Sequence, residues 1–481
     1  MKRAFFFPAV ASLLLTACVS SPSTTPRETE IKPAQLGLGT MPAPAIPQGW
    51  WTGFGDPQLD GLIAKMLSDN PTLAGALARM RSAQSQLSSA RADSYPQLTL
   101  DGQEQRERFS KSFIIPPPYG GKTEWMGTLE ANLSWNIDFW GRQSAIIAKA
   151  RSGAKAAALD AAAARLALSG TFAQAYVGLV RAYILSDIAA DTLKQREHVL
   201  ALTNSLVKSG LENVSSQDEA KALIAQAQEN LTQANAAREI FVHQIAAFTG
   251  QGAEAYATIA RPQINLDAVL PQPDSLPADL LARRPDVMAA QERVSAAMSG
   301  REAAHAAFYP NINLATFAGF QAIGLASMFT GNALTYGIGP AIHLPIFDAG
   351  KLRAEYAGAT ADLDEAVADY NATVLAAVRQ TADALTQIQA TQKERGEQNA
   401  AIASAMRSLK LAETRYRTGL SNELEVLIAQ TILLQAEQQQ ASIETDAATQ
   451  RVTLLLALGG DFDPAHPAPK QIRSATQDSA P

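Results

Sequence analysis

Hydrophobic positions recur along this chain with two different periods. Leu129, Ala131, Leu133, Trp135 and Ile137 alternate with Glu130, Asn132, Ser134, Asn136 and Asp138, and a later run alternates in the same way at Leu334, Tyr336, Ile338, Ile342 and Leu344. Strict alternation gives a ribbon with one apolar and one wet face, which predicts strands. Each run has a partner upstream, after Tyr95-Pro96 at Leu98 and Leu100, and after Tyr309-Pro310 at Ile312, Leu314, Thr316, Ala318 and Phe320. Turn-rich stretches, "SKSFIIPPPYGGK" and "SMFTGN", separate the partners. The pattern predicts two β-hairpins, over about 97–138 and about 311–346.

Most of the rest reads as helix. No proline occurs from Tyr119 to Arg261 or from Ile346 to Asp463, and both tracts are rich in Ala, Leu, Gln, Glu, Lys and Arg, the strong helix formers. The step of 69 residues from Gly141 to Gly210 would reach about 100 Å as one helix, at 1.5 Å per residue. That is several times the thickness of a bilayer core.

The chain also repeats itself. "NPTLAGALARMRSAQSQLSSARADSYPQLTL" (70–100) aligns without gaps on "RPDVMAAQERVSAAMSGREAAHAAFYPNINL" (284–314), at an offset of 285 − 71 = 214. Further on, Gly141 meets Gly350, Asp160 meets Asp369, Gly210 meets Gly419 and Gly250 meets Gly459, each at an offset of 209. The difference of five falls inside the hairpin, where loops tolerate length change. The organisation expected is a repeat over 61–260, a second over 261–459 and a C-terminal tail over 460–481.

The first residues give an address. Lys2 and Arg3 precede an apolar run from Ala4 to Leu15, too short for a transmembrane helix and suited to a signal peptide over 1–17. Cys18 is the single cysteine, so no disulfide forms within one chain. "LTAC" resembles the lipobox of bacterial lipoproteins, which implies a diacylglycerol on Cys18. Val19 after it implies the outer membrane. The segment 18–60 opens with a linker rich in Ser, Thr and Pro, to about Pro47, whose composition cannot bury a core and reads as an extended tether.

The formal charge of −6 becomes −6 − 2 = −8 without Lys2 and Arg3, and no basic patch asks for nucleic acid. Five histidines are scattered without metal-ligand spacing, and there is no phosphate loop, dinucleotide fingerprint or nucleophile elbow. The reading is a non-enzyme without cofactor.

Alternation alone suits a water-soluble sheet equally well. The length of the strands, which matches the 9 to 11 or so residues a tilted membrane strand needs, and Trp125, Trp135 and Trp140 favour a membrane. Two hairpins give four strands per chain, too few for a barrel, and an open edge in lipid costs several kcal/mol per unpaired group. Membrane strands therefore require oligomerisation: two chains would give a narrow filled barrel and three a wider one with a lumen.

"WWTGFGDPQLDGLIAKML", "LLARRPDVMAAQERV", the paired Tyr-Pro, "FDAGKLRAE" and the repeated Gly-Leu turns together resemble the outer membrane factors. These are the TolC-like lipoproteins of tripartite efflux systems, here of the NodT-like subfamily. The resemblance spans about Trp50 to Gly459. It implies an α+β membrane protein: a homotrimer whose twelve-stranded transmembrane β-barrel continues into the periplasm as a long α-helical tunnel. It implies an exit duct for small toxic compounds, with a periplasmic adaptor (membrane fusion protein), an inner-membrane pump of RND type and outer membrane lipid as partners. A duct for type I protein secretion and a non-conducting lipid-anchored scaffold are the alternatives.

Two tips are expected where the long helices turn back. Gly210 and Gly419 suit the left-handed residue after a helix, and Lys208 and Arg417 suit the negative end of the helix dipole. Ser216 with Glu219 reads as a capping box, and Ser421 or Asn422 as the cap of the second return helix. Leu211 and Leu420 beside them ask for a cover. The resemblance implies adaptor docking at Lys208, Ser209, Gly210, Leu211, Arg417, Thr418, Gly419, Leu420 and Ser421. It also implies a periplasmic gate at Glu425; the acid usual three residues further on is Ile428 here.

Overall fold

The computed structural model describes residues 24–464, apart from 113, 269, 270, 272, 274 and 278. The signal peptide, Cys18 and residues 465–481 lie outside them. Along the chain run α1 (Pro57–Asp69), α2 (Pro71–Ala92), β1 (Gln97–Arg108), β2 (Thr123–Ile137), α3 (Arg142–Lys208), α4 (Val214–Phe248), a single turn at Leu280–Arg283, α5 (Pro285–Ala306), β3 (Asn311–Ile323), β4 (Leu334–His343), α6 (Lys351–Arg417) and α7 (Glu423–Ala457).

The two proline-free tracts became helices of equal length. α3 and α6 have 67 residues each, α4 and α7 have 35 each, and every bound is displaced by 209, as in 351 − 142 and 457 − 248. α2 and α5 have 22 residues each, displaced by 285 − 71 = 214. Among the described residues, no helix is long and apolar enough to cross a membrane.

The chain divides into two compact units, residues up to 30 with 79–157 and 290–371, and residues 31–78 with 158–289 and 372 onward. The first holds one antiparallel sheet in the order β1-β2-β3-β4. Asp138 caps α3 by accepting from the Gln143 and Ser144 amides, and Asp348 does the same for α6 at Leu352. Where the sheet gives way to helix, the Trp140 ring stacks on Tyr309 at 5.0 Å and its indole N–H donates to the Pro310 carbonyl.

The second unit is built on an aromatic core. Trp50, Phe54, Leu59, Ile63, Met66, Phe172, Tyr176, Leu179, Ile245, Val452 and Leu455 are buried together. Asp56 organises one edge: its carboxylate accepts from the Gln58 amide, which caps α1, and from the Tyr176 hydroxyl and the Gln263 amide at 2.8 Å. The motif "RRPD" has a local explanation here. Arg283 donates to the carbonyls of Ala43 and Pro44, the buried Arg284 donates to the last carbonyl of α7 at Ala457, and Pro285 opens α5 at a position where its missing N–H costs nothing.

The N-terminal segment is extended, as its composition suggests, but it is not free along its course. In the first unit the Arg27 and Glu28 amides donate to Asp364 at 2.8 and 3.0 Å, and Asn371 donates to the Thr29 carbonyl. In the second unit the Ala43 amide donates to Asp279, and Ala43 is buried beside Leu280, Ile388 and Leu454. The expectation that this stretch buries nothing fails at its end, where a few small or apolar side chains, Leu38, Ala43 and Ile46, pack within the second unit. Backbone amides make the hydrogen bonds, which a composition poor in apolar residues did not reveal.

Candidate functional site

The sheet separates chemistry between its faces. Through the pairings, Ile137, Ile312 and Ile342 form one row; Leu98, Leu133, Thr316 and Ile338 another; Leu100, Ala131, Ala318 and Tyr336 the next; and Gly102, Leu129, Phe320 and Leu334 the last. From Ile137 to Leu129 is eight residues, about 27 Å of strand at 3.4 Å per residue. Beyond Leu129 the same face of β1 turns charged at Glu104, Arg106 and Arg108, with the Arg106 guanidinium 5.9 Å from the Trp125 ring centre. Ile338 and Ile342 are 78% and 69% exposed, so nothing among the described residues covers this part of the apolar band.

On β1 and β2 the opposite face is polar, and β3 adds Phe317 there opposite Asn132. Thr99 lies opposite Asn132, Asp101 opposite Glu130 and Gln103 opposite Thr128, and Asp101 accepts from both Thr99 and Asn132. Among the described residues, β1 and β4 each have one unpaired edge. A two-faced sheet with both edges open is an incomplete object in lipid.

In the second unit the turns at 210 and 419 share one geometry. The Leu211 amide bonds the Leu206 carbonyl and the Gly210 amide that of Val207; Leu420 bonds Arg415 and Gly419 bonds Tyr416 in the same pattern. This is the Schellman closure, which needs a left-handed residue, and Gly210 and Gly419 sit at φ 71° and 75°. Leu211 and Leu420 follow at 74% and 78% exposure. Lys208, Ser209, Arg417 and Thr418 are exposed beside them, and Ser421 is half-buried.

The return helices are capped differently from the Ser216–Glu219 expectation. Asn213 is the cap, accepting from the Ser216 amide at 3.0 Å, and Ser216 lies inside α4. The helix starts at Val214, so Asn213 holds the capping position and its side-chain oxygen reaches the Ser216 amide. Asn422, one of the two candidates at the second tip, does the same for the Glu425 amide at 3.3 Å. The Glu425 side chain is exposed.

A polar seam joins α3 to α7, and no motif or spacing announced it. Gln174 donates to Thr453, Arg181 to Ser442, Arg196 to Thr431 and Thr203 to Glu423. Burial, and then the charge of Glu212, raise the Glu423 carboxyl above its usual range against the Thr203 bond that lowers it. Burial and then Asp191 raise Glu437. Arg196 is buried with Nη1 unpartnered among the described residues, and burial lowers its pKa. Such a seam packs less firmly than an apolar one, because desolvated charges offset part of what contact gains.

Sequence and structure comparisons agree with this geometry. The chain matches the outer membrane efflux protein family over residues 62–251 and 276–460. It is 33% identical to the fusaric acid resistance protein FusA of Burkholderia cepacia over 362 residues, 73% of this chain and 68% of that one. It is 29% identical to the multidrug resistance outer membrane protein MdtP of Escherichia coli over 94% of this chain and 95% of that protein. The crystal structure of the outer membrane protein VceC of Vibrio cholerae superimposes with a TM-score of 0.82 at 32% identity, covering 87% of this chain and all of that one. Two-faced strands, paired helical hairpins and these matches lead to one assignment: the chain belongs to the outer membrane efflux protein family.

Proposed function

We propose that three copies of this chain form the outer membrane exit duct of a tripartite efflux pump. The observation that carries this reading is the four-stranded sheet with one apolar face and two open edges. Three copies joined β4 to β1 leave no edge and make twelve strands, within the even-numbered range of bacterial barrels. The apolar band then faces lipid and the row of Thr99, Asp101 and Gln103 faces the lumen. The helical hairpins continue the duct into the periplasm, and the exposed Leu211 and Leu420 are where a periplasmic adaptor docks, linking the duct to an inner-membrane pump of RND type.

The cargo class is small toxic organic compounds. FusA and MdtP carry names of resistance to fusaric acid and to multiple drugs, and this chain shares their family. A lipid on Cys18 completes the anchoring. Arg27 is pinned at Asp364, thirteen residues into α6, about 20 Å along the helix. The nine residues from Cys18 to Arg27 reach up to about 30 Å, enough to return to the level of the sheet. Glu425, exposed at the start of α7, is a candidate acidic group near the duct entrance.

Native mass spectrometry of the detergent-solubilised protein, followed by planar-bilayer recording, tests the reading. The expected result is a trimer that conducts. A monomer, or a trimer that never passes current in any state, would overturn it.

A further inference from the structure

At the end far from the helices, the sheet sorts charge between its two faces. On the apolar side, beyond the row of Gly102 and Leu129, β1 carries Glu104, Arg106 and Arg108 opposite the uncharged Gly127, Trp125 and Thr123 of β2. On the other side Glu107 lies directly opposite Glu124 and accepts from Gln105. The loop that follows, residues 109–122, adds the exposed Lys111 and Lys122 and contains no acid.

Two further observations set the height of these bases and what lies beneath them. By alternation Trp125 and Trp135 share the apolar face, ten residues apart on β2. That is about 34 Å of strand at 3.4 Å per residue, or about 26 Å of height at a tilt of about 40°, which matches the roughly 25 Å between the aromatic girdles of a bacterial barrel. Trp125 thus marks one interface. Arg106, with its guanidinium 5.9 Å from the centre of that ring, stands at headgroup level, and Arg108 stands one row further out. Below them the loop between β3 and β4 folds onto the same face. Met328 packs over Gly127, where a Cβ would meet its sulfur at 3.0 Å, and Phe329, 72% exposed, lies edge-on to Phe320 at 5.8 Å.

We propose that Arg106 and Arg108 hold the phosphate of an anionic glycolipid in the outer leaflet, one per chain. The inference rests on the reading of the chain as a membrane-spanning trimer. A guanidinium presents a planar fork of donors that fits two phosphate oxygens, and it stacks on an indole while its head stays wet. Glu104, one row nearer the band, offsets one charge, so the strand keeps 2 − 1 = +1 on this face and the loop lysines add two more beyond it. A lipid satisfies both halves of the surface, its headgroup at the arginines and its acyl chains on the ledge of Met328 and Phe329. A free anion would use only the first.

The test is native mass spectrometry of the delipidated full-length trimer after incubation with bisphosphorylated lipid A, compared with the same lipid stripped of phosphate. The native trimer should retain several-fold more of the phosphorylated form. Arg106→Gln combined with Arg108→Gln should lose that preference, and each single variant part of it, whereas Glu107→Gln combined with Glu124→Gln on the opposite face should keep it. If the double arginine variant fails to assemble, the single variants carry the comparison. Equal retention of the two lipids by the native trimer, or an unchanged preference in the arginine variants, would overturn the assignment. Retention abolished by equimolar inorganic phosphate would make this a site for free phosphate and overturn it too. A native protein that is not trimeric removes the parent reading instead.

Discussion

The Thr203 hydroxyl lies 3.2 Å from each carboxylate oxygen of Glu423, across 220 residues of chain. It joins the helix that descends to the first tip with the helix that leaves the second. Glu212 of the first tip and Tyr416 of the second are close enough for charge to reach, since burial, then Glu423 and Glu212, push the Tyr416 phenol up. Among the described residues the Thr203–Glu423 bond runs between the tip helices, and a second acid, Glu212, is near enough for its charge to be felt at Glu423.

A pH dependence follows. The Glu423 carboxyl is raised, burial first and then Glu212, so the joined tips bind a proton more tightly than separated ones. The junction carries no penalty below the ordinary carboxylate range and weakens as pH rises through the raised value. Amide exchange at the ends of α3 and α7, corrected for intrinsic rate, should be faster at neutral than at acid pH. Glu423→Gln should remove most of that difference, and a variant with the native pH profile would place the sensitive group elsewhere.

Leu420→Asp should leave the fold untouched and break the proposed adaptor contact. The side chain is exposed and follows a glycine turn that tolerates Asp, while a charge desolvated in a contact is expensive. Normal amounts of heat-resistant trimer, with lost drug resistance and lost adaptor cross-linking, are expected. Full resistance with intact cross-links would reduce the tip to a plain turn.

Gly459→Ala should destabilise the second unit. Gly459 has φ 94°, and a Cβ there would run into the Arg283 carbonyl oxygen. Left-handed strain alone costs about 1–3 kcal/mol, visible as a lower melting temperature. Gly396→Ala, inside α6 with nothing within 4 Å of the added carbon, should instead gain up to about 1 kcal/mol of helix propensity. Equal melting points for the two variants would contradict this account.

Cys18→Ser should abolish labelling by radioactive fatty acid, yet the protein should stay in the outer membrane fraction. The twelve strands of the proposed trimer would bury far more apolar surface than acyl chains, which contribute about 0.8 kcal/mol per buried CH₂. A variant found soluble in the periplasm would show that the hairpins do not span the membrane.

Local regularities were legible in the order of the amino acids alone. A period of two marked the strands, because alternate side chains point to opposite faces whatever the sheet joins. Proline-free tracts of strong helix formers marked α3 and α6, and the glycines that close both tips stood out by recurring at one offset. Contacts between distant residues left no such trace. Asn213 rather than Ser216 caps α4 because the helix starts at Val214, one residue after Asn213, which leaves Ser216 inside the first turn as the donor. Thr203 facing Glu423 depends on how two long helices settle side by side. The exposed apolar stripe of Leu424, Ile428 and Ile432 showed itself only once packing had buried Val426 and Ala429 on another face of α7. Spacing fixes which residues share a side of a helix, but only the tertiary fold decides which side is left without a neighbour.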